Sequence, residues 1–66
     1  MKNLELIAER NRKGLNQSDI SKLLHLSTTQ YCKKERGKVD FTISEVKKIK
    51  DILNLSVERV VEIFLT

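Results

Sequence analysis

Apolar residues along this chain recur every three or four positions, and no stretch alternates apolar with polar residues long enough to make a strand. Helices are therefore the expected elements. A local pattern marks their starts at four places: an apolar residue, a capping residue, two positions, a third-position residue, then another apolar residue. Leu15-Asn16 leads to Asp19-Ile20, Leu26-Ser27 to Gln30-Tyr31, Phe41-Thr42 to Glu45-Val46, and Leu55-Ser56 to Arg59-Val60. The capping side chain accepts a bond from an otherwise unpaired backbone N–H of the first turn. Gln30 and Glu45 can return the bond to their caps, and the flanking apolar pair staples the preceding chain to the helix. Arg59 carries no acceptor with which to return it, so the fourth start is the weakest.

Together with an N-terminal segment, these starts predict five helices, near residues 3–13, 17–24, 28–35, 43–53 and 57–64. The spacing assigns Leu4, Ile7 and Ala8 to the inner stripe of the first helix, with Leu6 beside it. It assigns Ile20, Leu23 and Leu24 to the second, and Val46, Ile49, Ile52 and Leu53 to the fourth. The fifth helix offers Val57, Val60, Val61, Ile63 and Phe64. Gly14 and Gly37 follow polar, basic stretches, as a helix-ending glycine does. Connections this short suit a compact all-α bundle forming a single domain over 1–66.

A chain of 66 residues buries a small core and needs good local helix signals or self-association for stability. With Cys32 as the only cysteine, no disulfide can form within the chain. Cys32 and His25 are the only soft ligands, fewer than the four a structural zinc requires, so no metal or cofactor is expected. No apolar run approaches the ~18 residues of a membrane span and no signal-peptide core is visible, which points to a cytoplasmic protein without a membrane partner.

Thirteen Lys and Arg against nine Asp and Glu leave a net charge of +4. The distribution is more informative: Lys33, Lys34, Arg36 and Lys38 crowd into one short segment, interrupted by Glu35. Such a block is either a solvated helix face or a footprint for phosphates.

Residues 16–37 contain two short helices joined by a tight turn at His25-Leu26, the layout of a helix-turn-helix. Ser21 supplies the small side chain needed where two helices cross closely. His25 stands where a left-handed backbone is required and glycine would be more comfortable. The outward face of the third helix would carry Thr28, Thr29, Cys32, Lys33 and Arg36. Small hydroxyl residues at the start of a short helix suit close approach to a groove: Thr can touch bases or the thymine methyl, and Lys can reach guanine acceptors.

The stretch GLNQSDISKLLHLSTTQYCKKERGK, residues 14–38, resembles the DNA-binding helix-turn-helix of phage Cro and lambda-type repressor proteins, the XRE family. The resemblance extends outward to Arg10 and to the I-x-x-I-L-N-L-S-V-E-R-V segment at 49–60. It implies a compact five-helix lambda-repressor-like domain. It also implies roles for residues at matching positions. Gln17 would contact a DNA phosphate and brace the recognition helix. Thr28, Thr29, Cys32 and Lys33 would face bases with Ser27 at the edge, and Arg36 and Lys38 would lie near the DNA backbone. Arg10 and Glu35 would form an internal salt bridge. The chain departs from the family pattern at His25, where glycine is usual, at Lys34, where an apolar residue is common, and at Cys32.

The function that follows is sequence-specific binding of double-stranded DNA by a small transcriptional regulator, a repressor acting as a homodimer on a palindromic operator. The surplus of apolar residues on the fifth helix is assigned to the dimer interface, with Ile63, Phe64 and Leu65 as its candidates. A phage-encoded or bacterial nucleoid-associated setting fits this reading, and no small-molecule ligand is expected within so short a chain. The competing class is a protein-binding module such as an antitoxin. Enzymatic activity has no support, because no recognisable catalytic constellation surrounds His25 or Cys32 and no glycine-rich phosphate loop exists.

Overall fold

The computed structural model describes residues 4–65. Five helices make up the ordered elements: α1 (Leu4–Arg12), α2 (Gln17–Leu23), α3 (Thr28–Glu35), α4 (Ile43–Ile52) and α5 (Val57–Phe64). The described residues contain no strand. The start expected at Asn3 lies outside the described residues.

Both ends of these helices are built from local sequence. Asn16, Ser27, Thr42 and Ser56 each accept a bond from the N–H three residues on, at Asp19, Gln30, Glu45 and Arg59. The first three are full capping boxes; Asp19, Gln30 and Glu45 return the bond to the cap backbone. Helices α1 to α4 end alike. The fifth residue back accepts from Leu15, Leu26, Lys38 and Leu55, as its carbonyl at Arg10, Ser21, Lys33 and Lys50. The residue just before each donor adopts positive φ: Gly14 at 72°, His25 at 59°, Gly37 at 82° and Asn54 at 53°. This is the Schellman ending, which satisfies carbonyls that the helix itself leaves unpaired. Two of the four endings use glycine; His25 and Asn54 do the same job at a steric cost.

The core gathers Leu6, Ile20, Leu24, Tyr31, Ile49, Leu53, Leu55 and Ile63, with Phe41, Val60 and Phe64 packed against it. Phe41 stacks edge-on against Phe64 with ring centroids 5.5 Å apart and lies 6.1 Å from Tyr31. These rings tie the loop after α3 to the end of α5.

Three assignments from the periodicity need correction. The buried face of α1 is Leu6, Glu9 and Arg10, while Leu4 and Ala8 are exposed and Ile7 is half-buried. An apolar stripe was expected inside, but partners from α3 and α5 make a charged face burial-competent. Leu23 is exposed on α2. Ile63, expected at a dimer surface, is 6% exposed and lies in the core beside Val60. The apolar surface that α5 leaves open is Val57, Val61 and the expected Leu65, at 65%, 41% and 75% exposure and spaced four apart.

Candidate nucleic-acid interface

Helices α2 and α3 pack on each other across the turn at Leu24–Ser27. The approach is close because Ser21, 1% exposed, sits in the crossing. Its hydroxyl donates to the Ser18 carbonyl at 2.9 Å, so the small polar group is satisfied within its own helix. The left-handed His25 reverses the chain, and Leu26 caps the core on the far side. His25 is itself exposed.

Helix α3 has two distinct faces. Tyr31 and Glu35, four apart, are buried. Thr29, Lys33 and Arg36 are exposed on the arc directed away from them, and Cys32 is half-buried at its edge. Thr28, seven residues before Glu35 on the same stripe, is exposed at the first position of the helix with its hydroxyl 3.4 Å from that of Ser21. Ser27 is exposed at the N-cap, where its oxygen and its N–H are both engaged with Gln30. Lys38 is exposed just beyond Gly37. Gln30, a residue the family resemblance does not single out, is also exposed. Its carbonyl oxygen is held by the capping box, which leaves its amide N–H groups as outward donors.

The inward face is fixed by one carboxylate. Glu35, 2% exposed, accepts from Arg10 Nε at 2.9 Å and from the Tyr31 hydroxyl at 2.6 Å, both on Oε2. Its Oε1 accepts from Gln17 Nε2 at 2.9 Å and Arg10 Nη2 at 3.4 Å. Burial alone would raise the Glu35 pKa; the bonds from Arg10, Tyr31 and Gln17 outweigh it and hold the carboxyl below its usual range. Burial, and then the carboxylate beside it, push the Tyr31 phenol far upward, so it remains a donor. Arg10 Nη1 also donates to the Leu15 carbonyl at 2.9 Å. The cluster thus joins α1, the first residue of α2 and the last residue of α3. Gln17 is half-buried and one of its two amide protons is committed to Glu35, leaving the other and its oxygen available.

Lys34 departs from the apolar residue common at its position in the family, and its environment explains how. Its side chain is only 12% exposed and its ammonium pairs with Glu45 at 2.5 Å. The same Glu45 oxygen accepts from the Thr42 N–H, so one carboxylate caps α4 and neutralises a lysine of α3. Burial works against this carboxylate, but the Lys34 bond and the cap hold its pKa low. Lys34 is therefore subtracted from the basic segment, and Lys33, Arg36 and Lys38 are its exposed cations.

Sequence reasoning missed Tyr31 as a member of the Glu35 cluster, although its i,i+4 spacing from Glu35 on one helix face was a usable signal. It also missed the ion pairs of Lys34 and Arg59, whose partners lie 11 and 50 positions away. Among the described residues, no helix is long and apolar enough to cross a membrane, and no group of three His, Cys, Asp or Glu side chains is placed to hold a metal.

No curated protein and no solved structure matches the chain significantly. The helix-turn-helix family matches it over residues 6–60, from the first core leucine through the start of α5. With the paired short helices, the exposed hydroxyl and basic face of α3 and that match together, the chain belongs to the Cro and lambda-repressor-like helix-turn-helix family of DNA-binding proteins, the XRE family.

Proposed function

We propose that the protein is a sequence-specific regulator of transcription, a repressor, that inserts α3 into the major groove of a palindromic operator as a homodimer. The observation that carries this reading is the division of α3 into two faces. The buried Glu35 cluster clamps one side of the helix, while Thr29 and Lys33 project from the other, Cys32 lies between the two, and Thr28 and Ser27 are exposed at the helix start. A helix fixed this way presents small side chains to base edges without an ordering cost on binding. Arg36 and Lys38 extend beyond its C-terminal end, where cations serve phosphates. Gln17 stands at the start of α2 with a free N–H for another phosphate.

Homodimerisation follows from the size of the site. One α3 spans about four or five base pairs, too few to select a site among many competitors. Two-fold symmetry solves this by setting two recognition helices about 34 Å apart on one side of the duplex. The body measures 28 × 23 × 20 Å, so two copies in contact can meet that spacing. The contact is assigned to α5, through Val57, Val61 and Leu65, with Phe64 behind them.

Selection of bound fragments from a random duplex pool, followed by a salt titration on the recovered sequence, tests the reading. A palindromic consensus is expected, with affinity falling log-linearly and steeply as salt rises. Failure to recover any consensus, or affinity that stays flat between low and physiological salt, would overturn it.

A further inference from the structure

Arg10 grips Glu35 unevenly. Its Nε lies 2.9 Å from Oε2, but its Nη2 is 3.4 Å from Oε1. An unhindered guanidinium commonly holds a carboxylate by two short parallel bonds. Two uncharged donors account for the difference. The Tyr31 hydroxyl, one turn back on α3, donates to Oε2 at 2.6 Å, and Gln17 Nε2 donates to Oε1 at 2.9 Å. Arg10 is itself tethered, since its Nη1 donates to the Leu15 carbonyl at 2.9 Å and to Asn11 Oδ1 at 3.3 Å. Tyr31 is fully buried, and burial beside the carboxylate keeps its phenol protonated. Gln17 belongs to α2 and Tyr31 to α3; the Glu35 carboxylate is the link between them.

We infer that Tyr31 is a positioning residue for DNA binding: its hydroxyl fixes the Glu35 carboxylate so that Oε1 holds the Gln17 amide ready for a phosphate. A carboxylate oxygen can only accept, so this bond turns the NH2 end of the Gln17 amide toward Glu35. One N–H is committed there and the other stays available, and a donor is what a phosphate oxygen needs. Without the Tyr31 hydroxyl, Arg10 is the one donor left on Oε2, and the guanidinium can close on the carboxylate with two short bonds. Oε1 is then drawn toward Arg10 and Gln17 is released to rotate. A released side chain has to be ordered again on binding, which lowers affinity. The inference rests on the phosphate contact of Gln17 proposed above.

The test places an uncharged methylphosphonate at one phosphate at a time in the operator recovered from the random pool. With wild type, the phosphate served by Gln17 should show a loss of about tenfold, the effect of one hydrogen bond to a charged group. Gln17→Ala should abolish the sensitivity at that position and so identify it. Tyr31→Phe keeps the ring and removes only the hydroxyl. It should bind the unmodified operator about three- to tenfold more weakly, lose the sensitivity at the Gln17 phosphate and keep it at the others. Combined with Gln17→Ala it should weaken binding no further, because a residue that acts through another is not additive with it. Ile49→Val, a core change outside the Glu35 cluster, lowers the melting temperature and should keep every phosphate sensitivity. Thermal melts set a temperature at which each variant is folded, with a stabilising osmolyte present throughout. If Tyr31→Phe retains the sensitivity at the Gln17 phosphate, or its loss adds in full to that of Gln17→Ala, the hydroxyl is structural only and the inference is overturned while DNA binding stands. If no sensitivity disappears in Gln17→Ala, the Gln17 contact falls and the inference with it. A pool that yields no consensus overturns the DNA reading and this inference together.

Discussion

Arg59 of α5 donates from Nε to Glu9 of α1 at 2.7 Å and from Nη2 to Glu5 at 2.6 Å, so the last helix is fastened to the first across 50 positions of sequence. Glu9 is buried and also accepts from Arg12 at 3.3 Å. The Arg59 bond is the chief reason its pKa lies below the usual carboxylate value; burial opposes it and Arg12 assists.

The pH dependence follows in sign. Glu9, Glu35 and Glu45 all have lowered pKa values in the folded state. Each therefore contributes stability that is present above the unfolded carboxyl value of about 4.3 and is lost as pH falls through the lower folded value. The domain should be stable at neutral pH and should lose stability progressively below about pH 5. In Arg59→Met, Glu9 loses its main partner. The variant should melt lower than wild type at pH 7, and the gap should narrow as pH falls toward 3. Thermal melts from pH 3 to 7 decide it; a gap that is constant or widens in acid contradicts the assigned role of Arg59.

His25 offers a stabilising change. Its φ of 59° is left-handed, which costs an L-residue about 1–2 kcal/mol and glycine almost nothing. His25→Gly also adds unfolded-state entropy of about 0.5–1 kcal/mol, so the net gain is smaller than the strain alone. A rise in melting temperature of several degrees is expected for a domain of this size. No rise, or a fall, would mean that the imidazole supplies a compensating contact at the turn.

The Arg10–Glu35 pair should behave as a buried one. Arg10→Met leaves a carboxylate with only Tyr31 and Gln17 as donors, and breaking a buried pair one-sidedly costs about 3–5 kcal/mol. That equals the whole stability expected of a core this small, so the variant should be largely unfolded at 37 °C. Arg10→Met combined with Glu35→Met should recover part of the loss, because no uncompensated charge remains. Urea unfolding measures both. A loss below about 1 kcal/mol for Arg10→Met would class the pair with exposed ones.

How much of this was legible in the chain differs by element. Both helix ends are written locally: caps at Asn16, Ser27, Thr42 and Ser56 set the starts, and Gly14 and Gly37 mark two of the stops. The exposure of Thr29, Lys33 and Arg36 was legible for the same reason, whereas Thr28 falls on the stripe of Glu35 and turns its hydroxyl to Ser21. The inner face of α1 was not. Apolar periodicity pointed to Leu4, Ile7 and Ala8, whereas Glu9 and Arg10 are buried because Arg59 and Glu35, both distant in sequence, neutralise them. Lys34 was opaque for an equivalent reason: its partner Glu45 was assigned to a cap, and nothing local indicates that one carboxylate serves both.

Lys33 and Arg36 should separate base recognition from phosphate attraction. Lys33→Ala should weaken the recovered operator by about 1–3 kcal/mol and relax preference at particular base pairs. Arg36→Ala should weaken all sequences about equally and reduce the salt slope. Affinity profiles across a panel of operator variants compare them; indistinguishable profiles would refute the division of roles along α3.

The dimer surface proposed on α5 separates two neighbouring residues of that helix. Val57, Val61 and Leu65 form one exposed ridge, and Leu65 also lines an open groove of about 720 Å³ with Val39, Phe41, Ile43 and Phe64. Val39 and Ile43 are themselves exposed, so ridge and groove together form an apolar surface of the kind that marks an interaction site. A two-fold contact requires the same surface on both copies to be self-complementary, and a ridge beside a groove meets that requirement. Lys47 borders the groove and Glu58 lies exposed on the ridge helix, placing opposite charges on the two parts that would meet. Val61→Lys should therefore convert a dimer to a monomer in solution with helicity unchanged, because the lysine remains solvated in the folded monomer. Ile63→Lys, two positions on, should instead unfold the chain, since it places an unpaired charge in the core. Sedimentation and circular dichroism on the two variants give opposite signatures. A wild type that stays monomeric at high micromolar concentration without DNA would refute a preformed interface and leave dimerisation to the operator.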